Sequence, residues 1–369
     1  MHNSHCIVME KKMSKTFKVG EKEVGGNNPT YFIADIAANH DGDLDRAKQL
    51  IYQAAEAGAY AAKFQHFKAE KIVSDAGFRA LQTQQSHQAK WSKSVFEVYQ
   101  DAVVPRDWTA ELQETCRDAG IHFFSAPYDF DAVSLLNKHD VPAHKIGSGD
   151  ITWTAILQEI ASSERPILLA TGASMIEDVV RAMDILMEGQ QPICLMQCNT
   201  NYTGDLANFK HIHLNVLKTY ELMWPEVVLG LSDHTPGHAT VLGAVALGAR
   251  MIEKHFTDDT AREGPDHAFS MDPLSWREMV DRTRELELAL GSAQKFVADN
   301  EKQTVVLQRR CVRAKDDLSA GTVITEEHIE ALRPAPVDAV MPYDSSMLVG
   351  RTLKASKSKG EHFVLSDVD

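Results

Sequence analysis

Two histidines set at the ends of strand-like runs are the first residues whose type and spacing could do chemistry. Residues 227–231 form a short apolar run, broken by the turn cluster Ser232-Asp233-His234-Thr235-Pro236-Gly237. Residues 238–247 are rich in Ala and Leu, and Gly248 is placed to end that helix. Met251-Ile252 then starts a second run that ends Glu253-Lys254-His255-Phe256. A strand–helix–strand unit makes its strands parallel with a right-handed crossover, so His234 and His255 share the C-terminal edge of a parallel sheet. Neighbouring strands lie about 4.8 Å apart, near enough for two imidazoles to reach one ion. The plainer reading is two hydrogen-bonded rim histidines.

Two lysines carry the next signal. Lys63 in YAAKFQHF and Lys145 in AHKIGSGD lie inside apolar runs, and a lysine is almost never buried without an anionic partner. Either neighbouring carboxylates balance them or an anionic ligand does. Hydroxyls and carboxylates cluster at the same strand ends: Asp35, Ser125, Ser148, Asp150, Thr171, Thr200, Ser232 and Glu253. For a single Ser or Thr there, helix capping is as good a reading as ligand binding. Two lysines among several hydroxyls point to a phosphate or carboxylate site.

The elements that must position these groups repeat. Strand-like runs occur at 31–39, 60–67, 122–128, 143–150, 166–173, 193–200, 227–234 and 251–258, each followed by helical periodicity. Eight such units over about 250 residues predict a TIM-type (β/α)8 barrel. A doubly wound open sheet is disfavoured, because no G-x-G-x-x-G follows the first strand.

The bulk properties set limits. The chain has 369 residues and a net charge of −14, which argues against a nucleic-acid or anionic-membrane surface. No apolar run approaches a membrane span, and the N-terminus lacks the apolar core of a secretory signal. Five cysteines have no zinc-type spacing, and Cys194 and Cys198 read as core packing in one strand. A reducing cytoplasm fits.

The predicted organisation is an N-terminal segment over 1–30 capping the barrel, a barrel over 31–291, a polar linker over 292–304 and a small β domain over 305–369. The last of these contains a repeat: Lys315, Gly321 and Ile329 recur as Lys354, Gly360 and Val368, each offset by 39 residues. Each copy reads as a strand, a Gly turn and a further short element. About sixty residues make a thin core, so this domain is expected to lean on the barrel or on another subunit.

Several stretches together carry a family likeness: IADIAANHDGDLDRAKQLI, AAKFQ, HKIGSGD, LGLSDHT, GAVALGARMIEKHFT and REGPDHAFSMDP. With them the chain resembles the sialic acid synthases, that is N-acetylneuraminate synthase and its legionaminic and pseudaminic acid relatives, over most of its length. The resemblance implies a TIM barrel with a C-terminal antifreeze-like (SAF) domain, and a homodimer in which each small domain covers the partner's active site. It implies condensation of phosphoenolpyruvate with an N-acetylated amino sugar aldehyde to a nine-carbon keto acid and phosphate.

By the same resemblance His234 and His255 match two metal ligands, usually for manganese, with magnesium or cobalt as substitutes; the ion would act as a Lewis acid on the sugar aldehyde. Lys63, Lys145, Ser148 and Ser232 match positions that hold phosphoenolpyruvate. Tyr202 and Asp266 match sugar-contacting positions, and Arg333 in LRPAP matches an arginine sent into the neighbouring subunit's site. The chain also departs from the family. Asp35 and Ala37 stand in Ala-Asp-Ile-Ala where Ala-Glu-Ile-Gly is common, so the catalytic carboxylate is shorter by one methylene. Ala126 and Ala170 replace hydroxyl residues, and Thr200 replaces an asparagine near both ligands. Asp35 is the candidate for acid–base work.

Two rivals are weighed against this reading. One is another phosphoenolpyruvate-dependent sugar acid synthase that uses a phosphorylated or non-acetylated aldose. The other is a non-catalytic binding protein on a decayed barrel, which retention of both lysines and both histidines argues against.

Overall fold

The structure, a computed structural model, describes residues 15–81 and 93–369. The start of the N-terminal segment, with Cys6, and part of the polar stretch after the second barrel strand lie outside the described residues. The described chain divides into two compact units, at Gly291 and Ser292.

The first unit opens with a hairpin, β1 (Thr16–Val19) and β2 (Lys22–Gly25). Eight parallel strands follow: β3 (Tyr31–Asp35), β4 (Ala61–His66), β5 (His122–Pro127), β6 (His144–Ile146), β7 (Ile167–Ala170), β8 (Ile193–Cys198), β9 (Val228–Asp233) and β10 (Ala249–His255). Their ladder runs β5-β4-β3-β10-β9-β8-β7-β6, and β5 and β6, its two ends, pack against each other to close the ring. The chain is thus a (β/α)8 barrel of TIM type. The strands end sooner than their apolar runs suggest. In β6, Gly147 ends the strand and Ser148–Asp150 turns into a 3-10 helix, so the rim residues stand on loops.

Helices join the strands in the expected alternation. They include α1 (Leu44–Glu56), α2 (Ala69–Ile72), α3 (Asp75–Ala80), α4 (Val95–Asp101) and α5 (Thr109–Asp118). The ring continues through α6 (Phe130–Lys138), α7 (Thr154–Ala161), α8 (Ile176–Glu188), α9 (Val216–Met223), α10 (Ala239–Ala246) and α11 (Pro273–Leu290). Just past α10, Gly248 takes φ +100°, a left-handed turn that stops the helix and aims the chain into β10.

Strand parity decides which side chains see the barrel axis. On β3, Phe32 and Ala34 join the core shared with the helices, while Tyr31 and Ile33 join a second cluster inside the ring. The hairpin residues Phe17, Val19 and Val24 pack into that inner cluster with Phe124, Met196 and Met251. The hairpin thus plugs one end of the barrel with apolar groups. Two residues further along the same inward faces come Asp35, Lys63 and Glu253. The inner column turns from apolar to charged along each strand.

The second unit is Ser292–Asp369. It includes helix α12 (Lys302–Gln308), which occupies the end of the segment read from sequence as a linker. Strands β11 (Cys311–Ala314) and β12 (Ile329–Leu332) pair antiparallel. The 39-residue repeat is a pseudo-two-fold axis. Leu318 and Lys357, equivalent positions, exchange reciprocal backbone hydrogen bonds of 2.8 Å. The bridge Arg313 to His362 maps onto Val323 to Thr352, and Ala314 to Ile329 maps onto Leu353 to Val368. Ala314, Leu353, Ile324 and Phe363 fill its core from both copies.

Candidate active site

The C-terminal ends of the barrel strands surround a cavity of about 380 Å³, within the range of roughly 300–1,000 Å³ that holds small molecules. Asp35, Lys63, Lys145, Ser148, Tyr202, Ser232, His234, His255 and Asp266 all line it. The structure therefore brings together residues spread over more than two hundred positions. Two expected residues stand elsewhere. Thr200 lies half-buried behind the wall, where Gly172 leaves room for its methyl group. Arg333 belongs to the second unit, exposed, with its Nε donating to the Gln308 carbonyl at 2.6 Å.

The floor of the cavity is a four-group charge cluster. Lys63 Nζ sits 2.7 Å from Asp35 Oδ2 and 3.2 Å from Glu253 Oε1. Lys145 Nζ reaches Glu253 Oε1 at 2.6 Å, and Ser232 Oγ donates to the same oxygen at 3.3 Å. Both lysines are thus balanced by protein carboxylates, and the two ammoniums and two carboxylates cancel. Glu253 was visible in sequence as a strand-end acid but not as the partner of both lysines. Its signal was parity: it stands two residues before His255 on the same strand face.

Electrostatics separate the two carboxylates. Burial raises Glu253, but Lys145 and Lys63 outweigh it and bring the group down to about 2. Burial dominates at Asp35 and leaves it raised, with Lys63 pulling against it. Burial opposes the Lys63 cation too, yet Asp35 and Glu253 hold it well above the ordinary lysine value. The two buried carboxyls are thus driven apart, Glu253 toward the anion and Asp35 toward the protonated acid. Asp35 Oδ1 also accepts the Ala37 N–H at 3.1 Å. Ala37 needs that help, because its φ of +46° is a left-handed conformation that costs a non-glycine residue about 1–2 kcal/mol.

His234 and His255 lie with ring centroids 5.3 Å apart. Burial, the larger cause, lowers both to about 3, so both are neutral imidazoles. His234 Nδ1 donates to the Asn199 carbonyl at 2.9 Å, which leaves Nε2 as a lone-pair donor. His255 Nδ1 is buried without a hydrogen-bond partner, with Asp266 Oδ2 3.9 Å away. Among the described residues no group of three His, Cys, Asp or Glu is placed to hold a metal. The pair fits a divalent cation whose other ligands come from water or substrate. Immediately outside it, Lys254 Nζ meets Asp233 Oδ2 at 2.5 Å in a fully buried pair that ties β9 to β10 beside both histidines.

Other rim residues resolve into structural roles. Ser125 faces the helix layer and bonds His66 Nδ1 at 2.6 Å, and Thr171 bonds Tyr220 Oη at 3.0 Å. Cys194 is packed inside the barrel, but Cys198 lines the cavity, a departure from its reading as core. Its position follows from parity: it is the third inward residue of β8, past the apolar layer. Three residues that sequence reasoning did not single out also line the site: Tyr99 from α4, Tyr128 after β5 and Phe67 after β4.

Comparisons with known proteins show the family. Residues 50–295 match the NeuB family and residues 309–369 match the SAF domain. An N,N'-diacetyllegionaminic acid synthase of Legionella pneumophila is 34% identical, over 92% of this chain and 95% of its own. The human N-acetylneuraminate-9-phosphate synthase is 31% identical, over 94% of each chain. The crystal structure of an N-acetylneuraminic acid synthetase from Leptospira borgpetersenii, in complex with citrate, superposes with a TM-score of 0.71. It is 28% identical, covering 80% of this chain and 97% of that one.

Proposed function

The chain belongs to the NeuB family, the sialic and related nonulosonic acid synthases, and on that premise we propose that it condenses phosphoenolpyruvate with an amino sugar aldehyde. The observation that carries this reading is the convergence of Lys63 and Lys145 on Glu253 at the floor of a cavity that two neutral histidines overlook. Each ammonium has three donors. Lys145 spends one on Glu253, so donors remain for the carboxylate and phosphate of phosphoenolpyruvate, with Ser148 and Ser232 beside them.

In the proposed reaction C3 of phosphoenolpyruvate forms a bond to the aldehyde carbon of the open-chain sugar, whose oxygen takes a proton. The electron deficiency left at C2 is filled by the oxygen of a water molecule. The C2–O bond to phosphate then breaks with its electron pair on the phosphate oxygen, the C2 hydroxyl gives its proton to that phosphate, and a 2-keto acid and inorganic phosphate remain. Asp35 accepts the proton that the water loses, as the more basic of the two buried carboxylates. Lys63 and Lys145 offset the charge of the phosphate as it departs. Tyr202 and Asp266 orient the sugar. A divalent cation, manganese first, would be held by His234 and His255 and would supply Lewis acidity at the aldehyde oxygen.

The reading extends to assembly and location. We assign a homodimer in which Arg333 of one subunit completes the partner's site, as the family likeness implies. The four described cysteines are free and buried, in keeping with a reducing cytoplasm. No helix among the described residues is long and apolar enough to cross a membrane.

The test is phosphate release from phosphoenolpyruvate in the presence of manganese and a panel of aminosugars, with product mass read by mass spectrometry. A nine-carbon keto acid is expected. Phosphate release independent of any sugar, or none with the whole panel, would dismiss the condensation.

A further inference from the structure

The two histidines of the site are held by different means. His255 is the last residue of β10 and pairs in register with Asp35 of β3, and its carbonyl accepts the Met271 N–H at 2.9 Å. The sheet fixes it. His234 stands one residue past Asp233, where β9 and its ladder with β10 end. The bond from its ring to the Asn199 carbonyl orients the imidazole, but the backbone that carries the ring lies in the turn that leads into α10.

A second charge cluster, on the other face of the strands, holds that turn. Side chains alternate along β9 and β10. Ser232 and Glu253 face the cavity, while Leu231 and Ile252 join the apolar layer shared with the helices. Asp233 and Lys254 are the next residues on that outer face and are partners across the ladder. Neither lines the cavity. Lys254 Nζ donates to Asp233 Oδ2 at 2.5 Å and to the Thr235 carbonyl at 2.5 Å. One ammonium thus holds the residues on both sides of His234. Asp233 closes the loop: its Oδ1 accepts the Thr235 N–H at 3.3 Å. Its Oδ2 also accepts the Thr235 hydroxyl at 2.8 Å and, from the first turn of α10, the Thr240 hydroxyl at 2.8 Å. All four residues are buried.

Stability alone does not account for this pair. Burying two charges costs desolvation that their attraction does little more than offset, and apolar residues of similar volume are often as stable or more so. The layer around the pair is apolar, and β9 and β10 are already joined by their backbone ladder. Apolar side chains in the same places could not bind the Thr235 carbonyl.

We propose that Lys254, through Asp233 and the Thr235 carbonyl, is a positioning residue that sets His234 against His255 at the spacing a divalent cation needs. This rests on the reading of the two histidines as a cation site.

The test follows manganese binding to the full-length protein by electron paramagnetic resonance, beside thermal melting and calorimetric titration with phosphoenolpyruvate. It compares wild type, Lys254→Met and the double variant Asp233→Asn/Lys254→Met. The single variant keeps the length of the side chain but leaves Asp233 a lone buried charge, so it should melt below wild type. The double variant removes both charges and should regain most of that loss. Both should bind manganese roughly 10–100-fold more weakly than wild type, the scale on which residues behind a metal ligand act, with phosphoenolpyruvate affinity unchanged. Wild-type manganese affinity in either folded variant would make the pair a stability element and overturn the inference, as would a double variant that does not fold. Equal losses of manganese and phosphoenolpyruvate affinity would show general damage to the barrel and overturn it too. Wild-type protein that binds no manganese removes the cation site itself, and this inference with it.

Discussion

Asp35 and Lys63 face each other across the β3–β4 ladder, and the Lys63 ammonium lies 2.7 Å from the Asp35 carboxylate. The same ammonium is shared with Glu253 at 3.2 Å. Lys63 therefore keeps its charge while Asp35 remains the more basic acid. Asp35→Asn preserves the volume and removes the base. Turnover should fall by roughly 10²–10⁴ with little change in KM for phosphoenolpyruvate. A loss of only a few-fold would place the proton acceptor elsewhere. Asp35→Glu should not raise turnover of the preferred sugar, because the longer chain enters a fully buried site.

Lys63→Ala and Lys145→Ala should each weaken phosphoenolpyruvate binding by roughly 1.5–3 kcal/mol, the worth of a charge-assisted contact, and leave sugar binding nearly unchanged. Each variant also leaves Glu253 with a single ammonium, so both should melt below wild type. Adding Glu253→Gln to Lys145→Ala should recover part of that stability without recovering affinity. Calorimetric titration with each substrate decides the matter: equal losses for both would refute the assignment.

His234→Ala and His255→Ala should abolish metal-dependent turnover and leave the barrel folded. Manganese binding, followed by its electron paramagnetic resonance signal, should fall together with activity. Wild-type activity in either variant after chelator treatment would exclude the pair as ligands.

Asp150 carries a pH-dependent cost. Burial raises its carboxyl from 3.8 to about 6, and one of its oxygens has no partner. The folded state therefore holds a proton that the unfolded state has released between those values, and stability contributed by the neutral form is lost as pH rises through them. Asp150→Asn should be more stable than wild type by roughly 2–3 kcal/mol at about pH 8, with the gap closing by about pH 4. Urea unfolding at both pH values measures it; a gap independent of pH would mean that the carboxyl is already solvated in the folded protein.

Arg333 tests the assembly. His234→Ala and Arg333→Ala proteins should each be inactive, and co-expression should restore activity up to about a quarter of wild-type sites, since one site of each mixed dimer carries neither lesion. Isolated mixed dimers without activity would show that Arg333 does not act across subunits.

Much of this architecture was open to reading from local pattern. Eight runs of apolar residues, each followed by helical periodicity, announce the barrel, and the positions offset by 39 residues announce the pseudo-symmetric β unit. Both are short-range regularities, set by the rise and repeat of the backbone. The histidines at 234 and 255 could be placed at one edge for the same reason, since a strand–helix–strand unit fixes the direction of its strands.

The pairing of charges could not be read this way. Barrel strands are buried on both faces, so their sequences are apolar on both, and alternation does not reveal which parity looks inward. Lys145 meets Glu253 across 108 residues, a contact that depends on how the ring closes and on β10 lying between β3 and β9. The Phe67–Tyr99–Tyr128 wall has the same origin. Its three rings come from separate loops and a short helix, and packing at the rim, not periodicity, brings them together.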